Sequence, residues 1–417
     1  MEDRLSSRSV LFVNLRRIKR EGFESLVAAR RLGYRVVLLG RALPEFAQPL
    51  VDEFHQVDTY DTDLALKTAR EIAAANDLAG VVNFTEIDVQ LVAAIAAELG
   101  LPGMPPEAAV LARNKLAMKQ ALAGIDGVLP KFARVSDLDD LCAAVADIGF
   151  PCVVKPTGAS GSKGIFELHG ESDLEPAMAE LQRIADPSFD AVFRQFGAEF
   201  IVEEYLTGDE LSVEGFVADG TVHQLLLTDK VTTVPFHLEV SHRLPSVLPA
   251  AAQDQILACS EKIVRALGFD NCAFHLEAKW DGERMRFIEV AARPAGDYIA
   301  SHLVKAATGI DFFANVIRVA TGEPLQLVPD RDLQAGLRFV FAESAGTFDG
   351  LDGVTELFEE PGYDHVFTEV PIGAQVALPP ANFGSQRVAA VCARAHDRAG
   401  LDALLDTAGE AIKVRIG

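Results

Sequence analysis

Short apolar runs alternate with helical stretches throughout residues 9–104, and that alternation allows few folds. Ser9–Leu15 reads as a strand, Gly22–Leu32 as a helix and Arg35–Gly40 as the next strand. A proline-containing loop then leads to a strand at His55–Asp58, a helix at Leu64–Asn76, a strand at Gly80–Phe84 and a closing helix at Asp88–Leu99. Strands separated by helices at this spacing predict a parallel sheet with both faces covered. A dinucleotide site is the first expectation for such a sheet, but its fingerprint is missing. The turn after the first strand, Asn14–Arg17, has no G-x-G-x-x-G, so a pyrophosphate could not approach the backbone there.

The pattern changes after Gly103-Met104-Pro105-Pro106, which marks a boundary. Helices at Pro106–Arg113 and Lys115–Ala123 precede a compact α+β unit. Its strands are Lys131–Val135, Cys152–Lys155 and Gly164–Leu168, and its helices Leu138–Ile148 and Leu174–Ala185. From Phe200 to Val290 long strands enclose one helix, Ala250–Leu267, which predicts a larger antiparallel sheet. Beyond Gly322-Glu323-Pro324 come short strands and a helix near Leu401–Ala408. With 417 residues, 49% of them hydrophobic, the chain has core enough for two to four units. The divisions expected are 1–104, 105–199, 200–322 and 323–417.

Charge and cysteine usage narrow the function. The net charge is -23, and no Lys/Arg cluster offers the basic face that a nucleic acid needs. The five cysteines are scattered, without C-x-x-C spacing, and read as buried free thiols. Met1–Ser9 is polar, with no signal-peptide core, and no apolar run reaches the roughly 20 residues that span a bilayer. The expectation is a cytoplasmic protein without nucleic-acid or membrane partners, and a homodimer by default.

Four features carry chemistry, and their order matters. Lys155 ends an apolar strand in front of the loop Gly158-Ala159-Ser160-Gly161-Ser162-Lys163-Gly164. Such a lysine is either a phosphate ligand or an exposed strand end. The loop's glycines let N–H groups converge on an anion, while Ser160, Ser162 and Lys163 add donors; the alternative is an idle hairpin. It is not a Walker A loop, since Gly164 follows Lys163 and a strand follows the loop. The strand Phe200–Leu206 ends in Glu203-Glu204-Tyr205-Leu206, which offers backbone to an adenine edge and carboxylates to ribose, or is a solvated edge. Glu277 and Glu289 lie on strands joined by a turn at Asp281-Gly282-Glu283. Two carboxylates in apolar surroundings repel unless a cation such as Mg²⁺ lies between them; a salt-bridged surface is the other reading.

With these residues in place the chain resembles the ATP-grasp superfamily, by motif over Lys115–Ala320 and by the preceding α/β domain. The resemblance implies a Rossmann-like α/β domain, an ATP-grasp fold of two α+β subdomains with ATP between them, and a small C-terminal α+β domain. It makes Lys115, in Asn114-Lys115-Leu116-Ala117-Met118-Lys119, a phosphate contact beside Lys155, and places Glu210 on the ribose. Glu277 and Glu289 become ligands of Mg²⁺, with Mn²⁺ as the alternative ion. Ile288-Glu289-Val290-Ala291-Ala292-Arg293-Pro294 looks like the E-x-N-x-R segment of carboxylate–amine ligases, with Ala291 where a metal-binding Asn is usual. Arg293 would then stabilise the transferring phosphoryl group.

The layout looks most like L-amino acid ligases, which form dipeptides. That likeness implies small carboxylate and amine substrates, amino acids among them. It also implies substrate contacts from His237, Glu239 and His242, and from Arg293 and Gly296 in Arg293-Pro294-Ala295-Gly296-Asp297. An acyl phosphate would form and an amine attack it, its proton passing to His237, Glu239 or His275. An ATP-grasp carboxylase, a purine-pathway ligase and an ATP-binding protein without turnover are the rival readings.

Overall fold

The computed structural model describes residues 8–16, 18–161, 164–188, 191–234, 236–379, 381–382 and 384–417. The N-terminal unit is a parallel sheet ordered Glu53–Gln56, Arg35–Gly40, Arg8–Val13, Asp77–Val82. Val10, Leu11, Phe12 and Val36 to Leu39 are fully buried, as a sheet covered on both faces requires. Helices Lys19–Arg31, Thr62–Ala75 and Val89–Leu99 pack on it. The last strand stops at Val82, short of the predicted Phe84. It holds Gly80 against helix Phe312–Thr321, so closely that a Cβ there would meet the Ala320 carbonyl oxygen at 2.1 Å. Residues 83–88 are thereby freed as a loop at the carboxyl edge of the sheet, where α/β sheets present ligand sites.

The next sheet is antiparallel, ordered Phe132–Val135, Phe200–Glu204, Cys152–Pro156, Phe166–Leu168. Helices Leu138–Ile148 and Leu174–Ile184 back it, the first capped by Asp137, which accepts from the Asp140 amide. A division at 199/200 would give Phe200 to the larger unit. Instead its strand inserts between Phe132–Val135 and Cys152–Pro156, because Phe200, Ile201 and Val202 are wholly apolar and need cover on both faces.

The third sheet has eight strands. Its order is Met285–Ala291, Cys272–Trp280, Asp209–Ala218, Thr221–Thr232, Glu239–Leu244, Gln334–Phe341, Arg387–Ala395, Tyr363–Thr368. The last three come from the C-terminal domain, which joins the large sheet and adds a three-stranded sheet of its own, ordered Gln375–Val376, Gly346–Asp352, Lys413–Ile416. Phe312–Thr321 is buried almost all round, as the helix wedged between this sheet and the N-terminal one must be.

Candidate active site

The N-terminal, the small antiparallel and the eight-stranded sheets carry the residues that line one cavity of about 490 Å³. Its floor is the hairpin Cys272–Trp280 and Met285–Ala291, in which Glu277 stands directly opposite Glu289. Asp281 builds the turn by accepting from the Glu283 and Arg284 amides. Glu277 meets the Lys230 ammonium and, at 3.2 Å, His275 Nε2; Glu289 lies 3.1 Å from Lys115 Nζ. Burial would raise the Glu277 carboxyl, but the Lys230 charge and the His275 hydrogen bond outweigh it and hold the group well below the usual carboxylate range. Lys230, almost fully buried, faces Glu239 at 2.7 Å, Glu210 at 3.6 Å and Glu277.

The cationic end follows along the Cys152–Pro156 strand. Lys155 is buried 3.0 Å from Glu203, which Lys119 approaches at 3.4 Å. The Glu203 carboxylate, read from the sequence as part of a pair for ribose or of a solvated edge, is the counter-charge of two buried lysines. Glu204, Tyr205, Leu206 and Glu210 border the cavity, Glu210 lying 3.7 Å from Lys279. Ser160 and Gly161 line the mouth of the glycine loop, and Ser162 and Lys163 lie outside the described residues. The root of the loop is pinned, since Arg113 Nη2 donates to the Gly158 carbonyl at 3.1 Å and Lys115 Nζ to that of Ala159 at 2.6 Å.

The far end gathers Arg293, Gly296 and His242, with Glu239 between His242 and Lys230. Arg293 Nε donates to Glu86 at 2.7 Å. His242 is buried, 3.5 Å from Asp297. His237 reaches across the cleft to Glu167 at 2.7 Å, which makes it a latch between two sheets as well as a cavity neighbour. His275 does not fit the role of proton acceptor. Nδ1 lies 3.0 Å from both Glu214 oxygens and Nε2 faces Glu277. Burial would lower this imidazole, but Glu214 and then Glu277 push it up to about 9, so it is already protonated near neutral pH.

Several cavity residues escape the motifs. Lys230 lies ahead of His237, Glu239 and His242 in the chain, and its one signal is a lone lysine in a strand of mixed burial. Arg387 opens the apolar strand Arg387–Ala395 and pairs with Asp297 at 2.8 and 3.1 Å and with Glu369 at 3.0 Å. Arg16 pairs with Glu21 at 3.0 Å and also bonds the Phe84 and Pro294 carbonyls. Among the described residues no three His, Cys, Asp or Glu side chains gather as a metal site, and no helix is long and apolar enough to cross a membrane.

Comparison with known proteins supplies a context for this cavity. Family models match the ATP-grasp N-terminal domain over residues 23–103, the ATP-grasp domain over 148–302 and the L-amino acid ligase C-terminal domain 2 over 338–417. The alanine–anticapsin ligase of Bacillus subtilis (strain 168) is 33% identical over 270 residues, 60% of this chain and 55% of the relative. Carnosine synthase 1 of Gallus gallus is 27% identical over 321 residues, 73% of this chain and 34% of the relative. The chain thus spans about half, or less, of the length of these curated relatives. Among solved structures, an L-amino acid ligase from Bacillus licheniformis superposes with a TM-score of 0.82 at 21% identity, covering 98% of this chain and 99% of that one. A phosphoribosylglycinamide synthetase from Anaerococcus prevotii gives a TM-score of 0.74 at 16% identity, covering 98% and 100%. At these identities the likeness is one of fold.

Proposed function

We propose, from a chain that belongs to the ATP-grasp superfamily and ends in an L-amino acid ligase C-terminal domain, that it is an ATP-dependent carboxylate–amine ligase. It activates a small carboxylate as an acyl phosphate, passes the acyl group to an amine and releases ADP and phosphate. Amino acids are the substrates we favour. The observation that carries this reading is the single cavity in which the Lys115, Lys155 and glycine-loop set adjoins Glu277, Glu289 and Arg293.

The acidic pair fits Mg²⁺. Glu277 and Glu289 bring oxygen donors from facing strands, and Mg²⁺ typically takes one or two carboxylates and completes its shell with phosphate and water. Ala291, on the same strand face as Glu289, adds only a methyl group opposite His275, so the protein's share is two carboxylates. When bound, the ion would withdraw charge from the phosphates. Lys115 and Lys155 neutralise the nucleotide oxygens, the glycine loop excludes water, and Arg293 balances charge that develops on the transferring group. Of the three side chains considered as proton acceptor we favour Glu239. Burial raises its proton affinity, and its Oε2 is buried without a hydrogen-bond partner while Lys230 holds Oε1. The five unbonded cysteines accord with a reducing cytoplasm, and a homodimer is the assembly we expect.

Phosphate release from Mg·ATP, screened over pairs of amino acids with mass detection of products, tests the reading. The expected result is release that needs an acid and an amine together, with a product equal to their sum less one water. Release supported by bicarbonate without an amine favours the carboxylase reading, and no dependence on either leaves a nucleotide-binding protein.

A further inference from the structure

The loop of residues 83–88 belongs to the N-terminal sheet, yet its strongest contacts lie elsewhere. Asn83 Nδ2 donates to the Ala292 carbonyl at 3.2 Å, and Arg16 bonds the carbonyls of Phe84 and Pro294. The segment on either side of Arg293 is therefore stitched to this loop. Glu86, at its centre, divides its oxygens between two guanidinium groups. Oε2 accepts from Arg293 Nε and Oε1 from Arg113 Nη1, each at 2.7 Å. Arg113 is buried and grips the Gly158 carbonyl with its other amino group while lying over the Phe196 ring at 4.9 Å.

We propose that Glu86 is a positioning residue that aims Arg293 into the cavity and, through Arg113, holds the root of the glycine loop in the same frame. The proposal rests on the role given to Arg293 above. A guanidinium on three methylenes has many rotamers, and its value to a reaction depends on where its N–H groups point. Here Glu86 takes Nε and the Pro294 carbonyl takes Nη1 at 3.1 Å, so the other amino group is the one left for a ligand. One carboxylate between two guanidinium groups also leaves a positive excess where an anionic phosphoryl group would lie. Mere neutralisation would not require each carboxylate oxygen to take a separate guanidinium. That arrangement makes a bracket, joining the charge-stabilising residue to the root of the glycine loop at Gly158.

The test uses the full chain with Mg·ATP and the substrate pair giving the fastest phosphate release. Glu86→Gln keeps shape and removes charge. Its turnover should fall about 100-fold, the scale of a misplaced reacting group, while Mg·ADP affinity by calorimetry stays within about threefold. Amide exchange over residues 158–161 should quicken. Glu86→Gln and Arg293→Lys should combine without multiplying, because both break one unit. Turnover of Glu86→Gln within about threefold of wild type, or effects that multiply fully, overturns the proposal. Should Glu86→Gln fail to fold, Glu86→Asp carries the test: it keeps the charge one methylene back, and an unaltered turnover there is equally fatal. Full turnover in Arg293→Lys would instead remove the reading of Arg293, whereas loss in that variant alone removes only the role of Glu86.

Discussion

At one end of the cavity Lys155 and Lys119 share the single carboxylate of Glu203, so cationic charge is in excess. On the eight-stranded sheet Lys230 faces Glu210, Glu239 and Glu277, so anionic charge is in excess. The far end differs, because its charges balance as a group: Arg16 with Glu21, Arg293 and Arg113 on Glu86, and Arg387 between Asp297 and Glu369. Unbalanced charge calls for a ligand of the opposite sign, and adjacent excesses of both signs suit a phosphate chain together with its cation. Balanced charge suits a ligand that itself carries both charges, which an amino acid does. Chain order differs too. The unbalanced end is drawn from the continuous stretch Lys119–Glu277, whereas the balanced end is assembled from Arg16, Glu86, Arg293 and Arg387, which meet only in the folded protein.

The largest effect that sharpens this contrast is expected at the acidic hairpin. Glu289→Gln removes a charge at constant shape and should lower turnover by roughly 10³-fold, at the upper end of what a single electrostatic contact supplies. Circular dichroism should be unchanged, since Glu289 is partly exposed and loses only its pairing with Lys115. A variant that turns over near the wild-type rate at millimolar Mg²⁺ would remove Glu289 from the metal site.

A reciprocal pair of substitutions can break the contrast outright. Glu210→Gln should raise KM for ATP about tenfold, the scale of a lost charged hydrogen bond, and leave the KM of acid and amine unchanged. Arg387→Met should do the opposite, shifting KM for one organic substrate about tenfold while that for ATP holds. Arg387→Met also leaves Asp297 and Glu369 without their cation, so a loss of stability is expected alongside. If both variants move the ATP and substrate constants together, the two ends are one site and the division drawn here is wrong.

The same contrast explains what the chain reveals before folding. Strand and helix alternation up to residue 104 was legible because period and punctuation are local. Lys155 and the glycine loop stood out because a strand end and a loop there have a composition that serves chemistry better than packing, and Glu277 and Glu289 because each puts an acid inside an apolar strand. Glu86 was not, since Thr85–Ile87 reads only as the link between a strand and a helix, and its meaning arises from Arg293, far along the chain. Arg387 begins a strand that otherwise reads as core, and only the joining of that strand to the large sheet brings it to Asp297. Glu203 was half legible: its strand read either as backbone for adenine with a carboxylate for ribose or as a solvated edge, and burial beside two lysines gives its carboxylate different work.

The smallest expected effect tests the scaffold beneath Glu86. Asp88 is almost fully buried under the same loop, where it accepts from Asn14 Nδ2 at 2.9 and 3.1 Å and from the Thr85 hydroxyl. Burial pushes its carboxyl up to about 6, and the hydrogen bonds from Thr85 and Asn14 bring it only part of the way back. The folded protein therefore binds this proton more tightly than the unfolded chain does. The contribution to stability is complete below about pH 4, the unfolded value, and is lost as pH rises through about 6. At about 1.4 kcal/mol per unit, the loss between those limits is at most about 3 kcal/mol, a shift of a few degrees in Tm. Asp88→Asn keeps the acceptor oxygen without the titration. The wild-type Tm should fall relative to that of Asp88→Asn as pH goes from 4 to 7, with turnover at pH 7 unchanged within about twofold. Parallel Tm profiles would mean that Asp88 ionises as freely in the fold as outside it. The loop would then rest on its contacts with Arg16, Arg113 and residues 292–294.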